Sequence, residues 1–252
     1  MKAATSPIPI LRPLFSFLLL PLKNPWNLST IHHSSSSSSS SPSPSSLTLT
    51  AEELTQVNLL IPRLCQSNNL PHAIRLLDAC LLIHPHPPNL TALIDRLTDE
   101  PELKQPMSLL TRLIRNSHAH SHLLSIARML AFSYFDKQRP KEAMKVFNWM
   151  LRPNSPCVID ESTYRGFVLG FCRNGWTLEA LKALRKMVGE EMVPREDLRE
   201  CIFKSLLREA RVREAMEIDA ALDCIREGES ESQKVAKLID GMLQIVVSHH
   251  LH

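Results

Sequence analysis

Glycine and tyrosine are scarce: six Gly and two Tyr stand among 252 residues. No G-x-x-x-x-G-K-[ST], G-x-S-x-G or H-E-x-x-H occurs. That removes the P-loop nucleotide site, the nucleophile elbow and the zinc-protease helix. The six cysteines, Cys65, Cys80, Cys157, Cys172, Cys201 and Cys224, form no C-x-x-C. Zinc-knuckle and thioredoxin-like spacings are therefore missing, and free buried thiols behaving as small hydrophobes are expected. No apolar run reaches the roughly 18 residues that span a bilayer. These absences point away from an enzyme, a cofactor, a bound metal and a membrane partner.

Acidic residues are missing from one region. Residues 1–46 hold Lys2, Arg12 and Lys23 but no Asp or Glu, and Ser34 to Ser41 is an unbroken serine run. Hydroxyl-rich, acid-free and sparsely basic, this segment has the composition of an organelle transit peptide. It is too polar to build a core of its own. The apolar block near Arg12 fits a mitochondrial address and the serine run a plastid one; mitochondrion is the expected location, with chloroplast the alternative. A secretory signal is the rival, but Pro21 interrupts its apolar stretch and no A-x-A pattern follows. Of 29 Lys and Arg three lie in this segment, leaving 26 against 26 acids in the rest. The remainder is thus neutral, so net charge gives no support to a strongly basic nucleic-acid surface.

What is abundant is helix-forming. Leu, Ala, Met, Glu, Lys and Arg predominate, and they recur with a long period. Ala73 in HAIRLL lies 70 residues before Ala143 in KEAMKVF, Ala143 lies 37 before Ala180 in LEALKAL, and Ala215 in REAMEI follows 35 later. A period of this size predicts stacked helix pairs. The units begin at Leu54, Asn89, Leu124, Glu161 and Glu196, with a closing helix from 231 to 247. The one step of 37 falls on the Pro153–Pro156 loop, where insertion costs little. The matched small residues, Ala73, Ser108, Ala143, Ala180 and Ala215, are expected where the two helices of a pair approach closely. An apolar residue about two turns later, Cys80, Met150, Met187 or Leu222, completes the face, with Arg115 as the exception. Tyr164, Phe167, Val168, Phe171 and Cys172 form the inner face of the best-preserved first helix, and Cys201, Ile202, Ser205 and Leu206 that of the next.

The stretch from Glu161 to Arg195 carries Thr163-Tyr164, G-F-C-R-N-G from Gly170 to Gly175, Glu179-Ala180-Leu181, Met187 and Val193-Pro194. It resembles the pentatricopeptide repeat family, of the plain 35-residue type of plant organelles. The resemblance covers about 54 to 247 and is carried mainly by this one unit. The tetratricopeptide repeat is the rival; its period is 34, and its Trp, Leu-Gly and Tyr signature is missing here. The resemblance implies an all-α, right-handed solenoid of about five helix-turn-helix repeats plus a closing helix. It implies a non-catalytic protein of organellar RNA processing, stability or translation, whose first helices line a groove for single-stranded RNA. Each repeat of the family reads one base with two or three side chains.

By phase, the fifth residues of the units are Asn58, Leu93, Arg128, Arg165 and Glu200, and the last are Pro88, Leu123, Asp160, Arg195 and Ser230. The resemblance makes these the reading positions, and the polar ones (Asn58, Arg128, Asp160, Arg165, Arg195, Glu200 and Ser230) are the candidate RNA-binding residues. They depart from the family's usual pairs of Asn, Thr or Ser with Asp, Asn or Ser. Arg165 and Arg195 suit phosphate or a stacked base; Arg128 and Asp160 suit each other. The alternative expectation is a protein-interaction scaffold, or a subunit of an organellar ribonucleoprotein complex. The zinc deaminase that editing members append needs H-x-E and C-x-x-C, and neither is present.

Three smaller features have plain readings. His118, His120 and His122 form H-x-H-x-H between helices without an adjoining acid or Cys, which suits a solvated loop better than a metal site. Cys65 and His72 are read as structural. The charge run from Arg208 to Glu214 is read as an ion-paired solvent face.

Overall fold

The computed structural model describes residues 49–84, 86–153, 155–224 and 231–249. The expected transit peptide at 1–46 and Ser230 lie outside them. Every regular element among the described residues is helical, and the chain divides into two compact units, Met1–Leu90 and Thr91–His252.

In the first unit α1 (Ala51–Gln66) and α2 (Leu70–Ile83) pack as a pair. Helix α1 begins three residues before the expected Leu54, because Thr50 forms a capping box with Glu53. The Thr50 hydroxyl accepts from the Glu53 N–H at 3.2 Å, and the Glu53 carboxylate accepts from the Thr50 N–H at 2.9 Å. Two orphan amides of the first turn are thereby satisfied. Val57, Ile61 and Cys65 turn inward from α1, and Ala73, Leu77 and Cys80 from α2.

The second unit holds nine α-helices among its described residues: α3 (Thr91–Asp99), α4 (Lys104–Arg115), α5 (His120–Asp136), α6 (Pro140–Met150), α7 (Glu161–Arg173), α8 (Thr177–Gly189), α9 (Glu196–Arg208), α10 (Val212–Cys224) and α11 (Glu231–His249). Sequence neighbours pair: α5 with α6, α7 with α8, α9 with α10. The first helices also lie side by side, α3 against α5, α5 against α7 and α7 against α9. Thr98 and Ser133, 35 residues apart, hydrogen-bond across the first of these contacts at 2.7 Å.

The pairing rests on local chemistry that repeats in phase. Asn68, Gln138, Gly175 and Ala210 each take a positive φ, from 58° to 74°, just beyond the first helix of a pair. The next amide in each case reaches back five residues: Asn69 to Leu64, Arg139 to Tyr134, Trp176 to Phe171 and Arg211 to Leu206, all at 2.8–3.0 Å. This is the Schellman ending, which satisfies the carbonyls of the last turn and reverses the chain. Glycine is the natural occupant, and a residue with a Cβ costs about 1 kcal/mol or more there. Ala210→Gly should therefore raise stability by about 1 kcal/mol. Gly175→Ala should lower it similarly, through backbone strain alone, because an added Cβ would meet nothing within 4 Å. Urea denaturation followed by circular dichroism distinguishes the two signs.

Ala73, Ala143, Ala180 and Ala215 are all fully buried, as are Cys80, Met150, Met187 and Leu222 to within 3 %. Ser108 departs from its expected place: it is exposed, and Leu109 and Leu110 carry the inner face instead. The reason lies in Pro101 and Pro106, which confine α3 to nine residues and shift α4 in register; Pro106 itself sits in the first turn, where its missing N–H costs nothing. Arg115 is exposed as the last residue of α4. Helix α5 begins at His120, four residues before the expected Leu124, since the Asn116 side chain accepts from the His118 N–H and starts a short 3-10 turn that runs into it.

The final helix takes a different place from the other helices that begin in phase. Glu161, Glu196 and Glu231 begin α7, α9 and α11 at steps of 35, but α11 does not extend the row of first helices. It packs on the second helices α8 and α10. Val235, Ile239 and Met242 are buried, and Asp240 accepts from Arg185 of α8 at 3.1 Å through both Nε and Nη2.

Candidate functional site

Of the residues singled out by phase, Asp160, Arg165, Arg195 and Glu200 lie just before or within the first two turns of α7 and α9, and Arg128 lies midway along α5. Asp160 and Arg195 are the N-caps of α7 and α9; Arg128, Arg165 and Glu200 lie within α5, α7 and α9. Helix starts gather unpaired N–H groups and a partial positive charge, so Asp160, Glu161, Glu196 and Asp197 are favourable there. Asp160 accepts from the Thr163 N–H at 2.8 Å. Partial burial works against its charge, but the Thr163 hydrogen bonds and nearby Arg128 outweigh this and hold its pKa below the ordinary carboxylate value.

Contacts between neighbouring helices repeat with the phase. Arg128 Nη1 donates to the Ser162 hydroxyl at 3.1 Å. One unit later Arg165 Nε donates to Asp197 at 2.6 Å, and its Nη2 contacts the same carboxylate. Ser162 and Asp197 are 35 residues apart, the second residues of their units, so each fifth-position arginine reaches the second residue of the next unit. Arg195 answers in the opposite direction: its Nε donates to Glu161 at 2.7 Å. Glu200 pairs along its own helix with Lys204 at 2.5 Å.

Exposure decides what these pairs can do. Arg165 and Arg195 side chains are 43 % and 70 % exposed, and their acid partners about 40 %. Surface pairs of this kind contribute about 0–1 kcal/mol. An incoming anion could take over either guanidinium at little cost, but the acids would remain beside it. Arg199 is more firmly engaged, by Asp219 and Asp223 of α10. A cleft of about 420 Å³ opens beside these groups, with Val193, Pro194 and Leu222 as its apolar wall and Glu161, Arg195, Glu196 and Arg199 around it.

Elsewhere the expected positions are structural. Asn58 in α1 accepts from the backbone N–H of Asn89 at 2.7 Å and so anchors the chain beyond α2. Leu93 and Leu123 are fully buried and Pro88 is buried. The histidines at 118, 120 and 122 do not form a loop: His118 is in the 3-10 turn, and His120 and His122 are in the first turn of α5, where His120 Nε2 contacts the Ile114 carbonyl at 2.7 Å. Among the described residues no three metal-ligating side chains are grouped to hold an ion. His72 contacts Asn69 at 2.5 Å within its own turn.

The phase did not single out Ser162 and Asp197, although a hydroxyl or acid one unit beyond each fifth-position arginine could have signalled them. In the charge run Arg211 pairs with Glu209 and Glu214, while Arg208 reaches across to the Cys172 carbonyl at 2.9 Å. No helix among the described residues is long and apolar enough to cross a membrane. No protein-family model matches the chain, and no curated protein matches it.

Proposed function

We propose that the chain is a non-catalytic helical-repeat binding protein of pentatricopeptide type, a right-handed solenoid acting in organellar RNA processing, stability or translation. Its ligand in this reading is single-stranded RNA held along the first helices. The observation that carries the reading is the set formed by Arg128, Arg165 and Arg195 on or at the start of three successive first helices, with Arg165 and Arg195 well exposed and Arg195 lining an open cleft. Arginine suits such a set because its planar guanidinium both pairs with phosphate and stacks on bases. Specific base reading is weak in this proposal, because Leu93, Leu123 and Pro88 offer no side-chain hydrogen bond.

Binding should depend on few phosphate contacts. Each one removed lowers the slope of log affinity against log salt by about 0.7 for a single strand. Arg165→Ala and Arg195→Ala should each weaken binding of a single-stranded RNA pool, most at low salt, and the double variant should flatten the slope by about 1.4. Filter binding across a salt series reads both effects. Unchanged affinity and slope in the double variant would remove these residues from the site.

A second reading is a protein-interaction subunit of an organellar ribonucleoprotein. The ion pairs Arg165–Asp197 and Arg195–Glu161 favour it, because they leave the set nearly neutral. A native pull-down with ultraviolet crosslinking separates the two: recovered RNA supports the first, and co-purifying protein without crosslinked RNA supports the second. A fluorescent fusion carrying residues 1–46 tests the mitochondrial address against the chloroplast one.

A further inference from the structure

The second helices form two grooves in matching phase, one covered by α11 and one open to solvent. Helix α11 packs on α8 and α10, with Val235, Ile239 and Met242 buried and Asp240 accepting from Arg185 of α8. One unit earlier a cavity of about 230 Å³ opens between α6 and α8. Met144, Phe147, Asn148 and Leu151 form its α6 wall, and Phe171 of α7 also lines it. A step of 37 residues from that wall gives Leu181, Leu184, Arg185 and Val188 on α8. Those three apolar residues are buried to within 2 %, and Arg185 is engaged by α11. Met144 and Leu151 are only half-buried, and Asn148 is exposed. The cavity therefore repeats, in open form, the α8 wall of the seat of α11. A cavity of about 150 Å³ holds a benzene ring, so this one accepts large apolar side chains.

The charges around the two grooves differ. Every exposed charged residue of α6 and α8 is a lysine: Lys141, Lys145, Lys182 and Lys186. Glu142 and Glu179 are half-buried, and they pair with Arg139 and Lys182. The α8 wall of the open groove is formed by Glu179, Lys182 and Lys186. A step of 35 residues from it gives Glu214, Glu217 and Ala221 on α10. The wall beside α11 is therefore acidic where the open one is basic. Helical spacing puts Asp240 on one flank of the apolar stripe of α11, and Lys234 and Gly241 on the other. Asp240 faces α8, so the flank of Lys234 and Gly241 is turned toward α10.

We infer that the open groove is the docking site of a partner protein that presents an amphipathic helix, with apolar residues at i, i+4 and i+7 and acidic residues along the flank turned to α8. The apolar spacing is that of Val235, Ile239 and Met242, which the matching groove already buries within this chain. Anchors at such spacing are how a helix lies in a groove. The acids answer Lys182 and Lys186, and complementary charge selects among helices of similar apolar face. The site uses the second helices and stands apart from Arg165 and Arg195 of the first ones, so it is independent of RNA binding there.

The test measures the fluorescence anisotropy of two labelled peptides titrated with the full-length chain. Both carry the sequence of Glu231–His249; the acidic peptide has Lys234→Glu and Gly241→Glu, and the basic one keeps Lys234 and has Gly241→Lys. The acidic peptide should bind about tenfold more tightly than the basic one, the scale set by two exposed ion pairs. Lys182→Glu with Lys186→Glu, at two exposed positions of the chain, should keep the helical circular dichroism spectrum and exchange the preference. Ile239→Ser in the acidic peptide should abolish binding. A peptide that displaced α11 from its own groove would show the opposite order, because that groove has Glu214 and Glu217 at the matching places, and this order would overturn the proposal. So would no binding of either peptide, or a preference that the lysine changes leave in place. Loss of single-stranded RNA binding in the lysine variant, with neither peptide bound, would overturn it in favour of nucleic acid on this face.

Discussion

Phe167→Ala is expected to lower the stability of the second unit by about 3–5 kcal/mol, the range for removing a large buried aromatic. Phe167 is fully buried at the junction of α5, α6 and α7. Its ring centroid lies 4.3 Å from that of Phe147 and 6.0 Å from those of Phe132 and Phe135, the last two near edge-to-face at 70° and 72°. Such pairs contribute about 0.5–1.5 kcal/mol beyond the area they bury. Five of the eight phenylalanines of the chain (132, 135, 147, 167 and 171) meet here. An aromatic-poor chain has thus placed most of its phenylalanines at one contact between helix pairs. Against a typical domain stability of about 5–15 kcal/mol, the loss should be visible as a large fall in the urea midpoint followed by circular dichroism. Phe203→Ala, at a half-buried position of α9, serves as the comparison and should cost clearly less. Equal losses at the two positions would show that the cluster is not the centre of this unit.

Much of the helical pairing was legible in the sequence because it depends on local signals. The small residues at Ala73, Ala143, Ala180 and Ala215 mark the inner faces of the second helices, and all are buried. Asn68 and Gly175 announce the left-handed helix endings. Gln138 and Ala210 take the same conformation without a favourable side chain, so only the phase could have found them. Where proline shifts the register, as in α4, phase misled: Ser108 faces solvent. The place of α11 was not legible either. Its apolar face would suit any neighbour, and its contact with α8 and α10 depends on tertiary partners such as Arg185 and Asp240. At the candidate site the positions of Arg165 and Arg195 followed from phase, but their carboxylate partners did not, because those lie 34 or fewer residues away on another helix.

Gly170→Ala should destabilise the same unit by about 1–3 kcal/mol, the usual cost of overpacking a filled core. Two effects compete. In a helix interior Ala is favoured over Gly by about 0.8–1.0 kcal/mol, so a substitution free of contact should stabilise. At Gly170 an added Cβ would stand 2.4 Å from the Phe135 ring. That ring is buried and held edge-on to Phe171 at 5.0 Å, so it cannot turn away without disturbing the cluster. At Gly166 the nearest atom, Phe132 Cζ at 2.1 Å, is the far end of a partly exposed ring that can swing outward, so Gly166→Ala should cost less. At Gly241 of α11 nothing lies within 4 Å, so Gly241→Ala should show the propensity gain alone. The expected order of urea midpoints is Gly241→Ala, the unmodified chain, Gly166→Ala, then Gly170→Ala. Phe135→Leu combined with Gly170→Ala should recover part of the loss, since the smaller side chain leaves room for the methyl group. If α5 and α7 do not meet at these glycines, all three substitutions should stabilise alike, and the partner change should give no recovery.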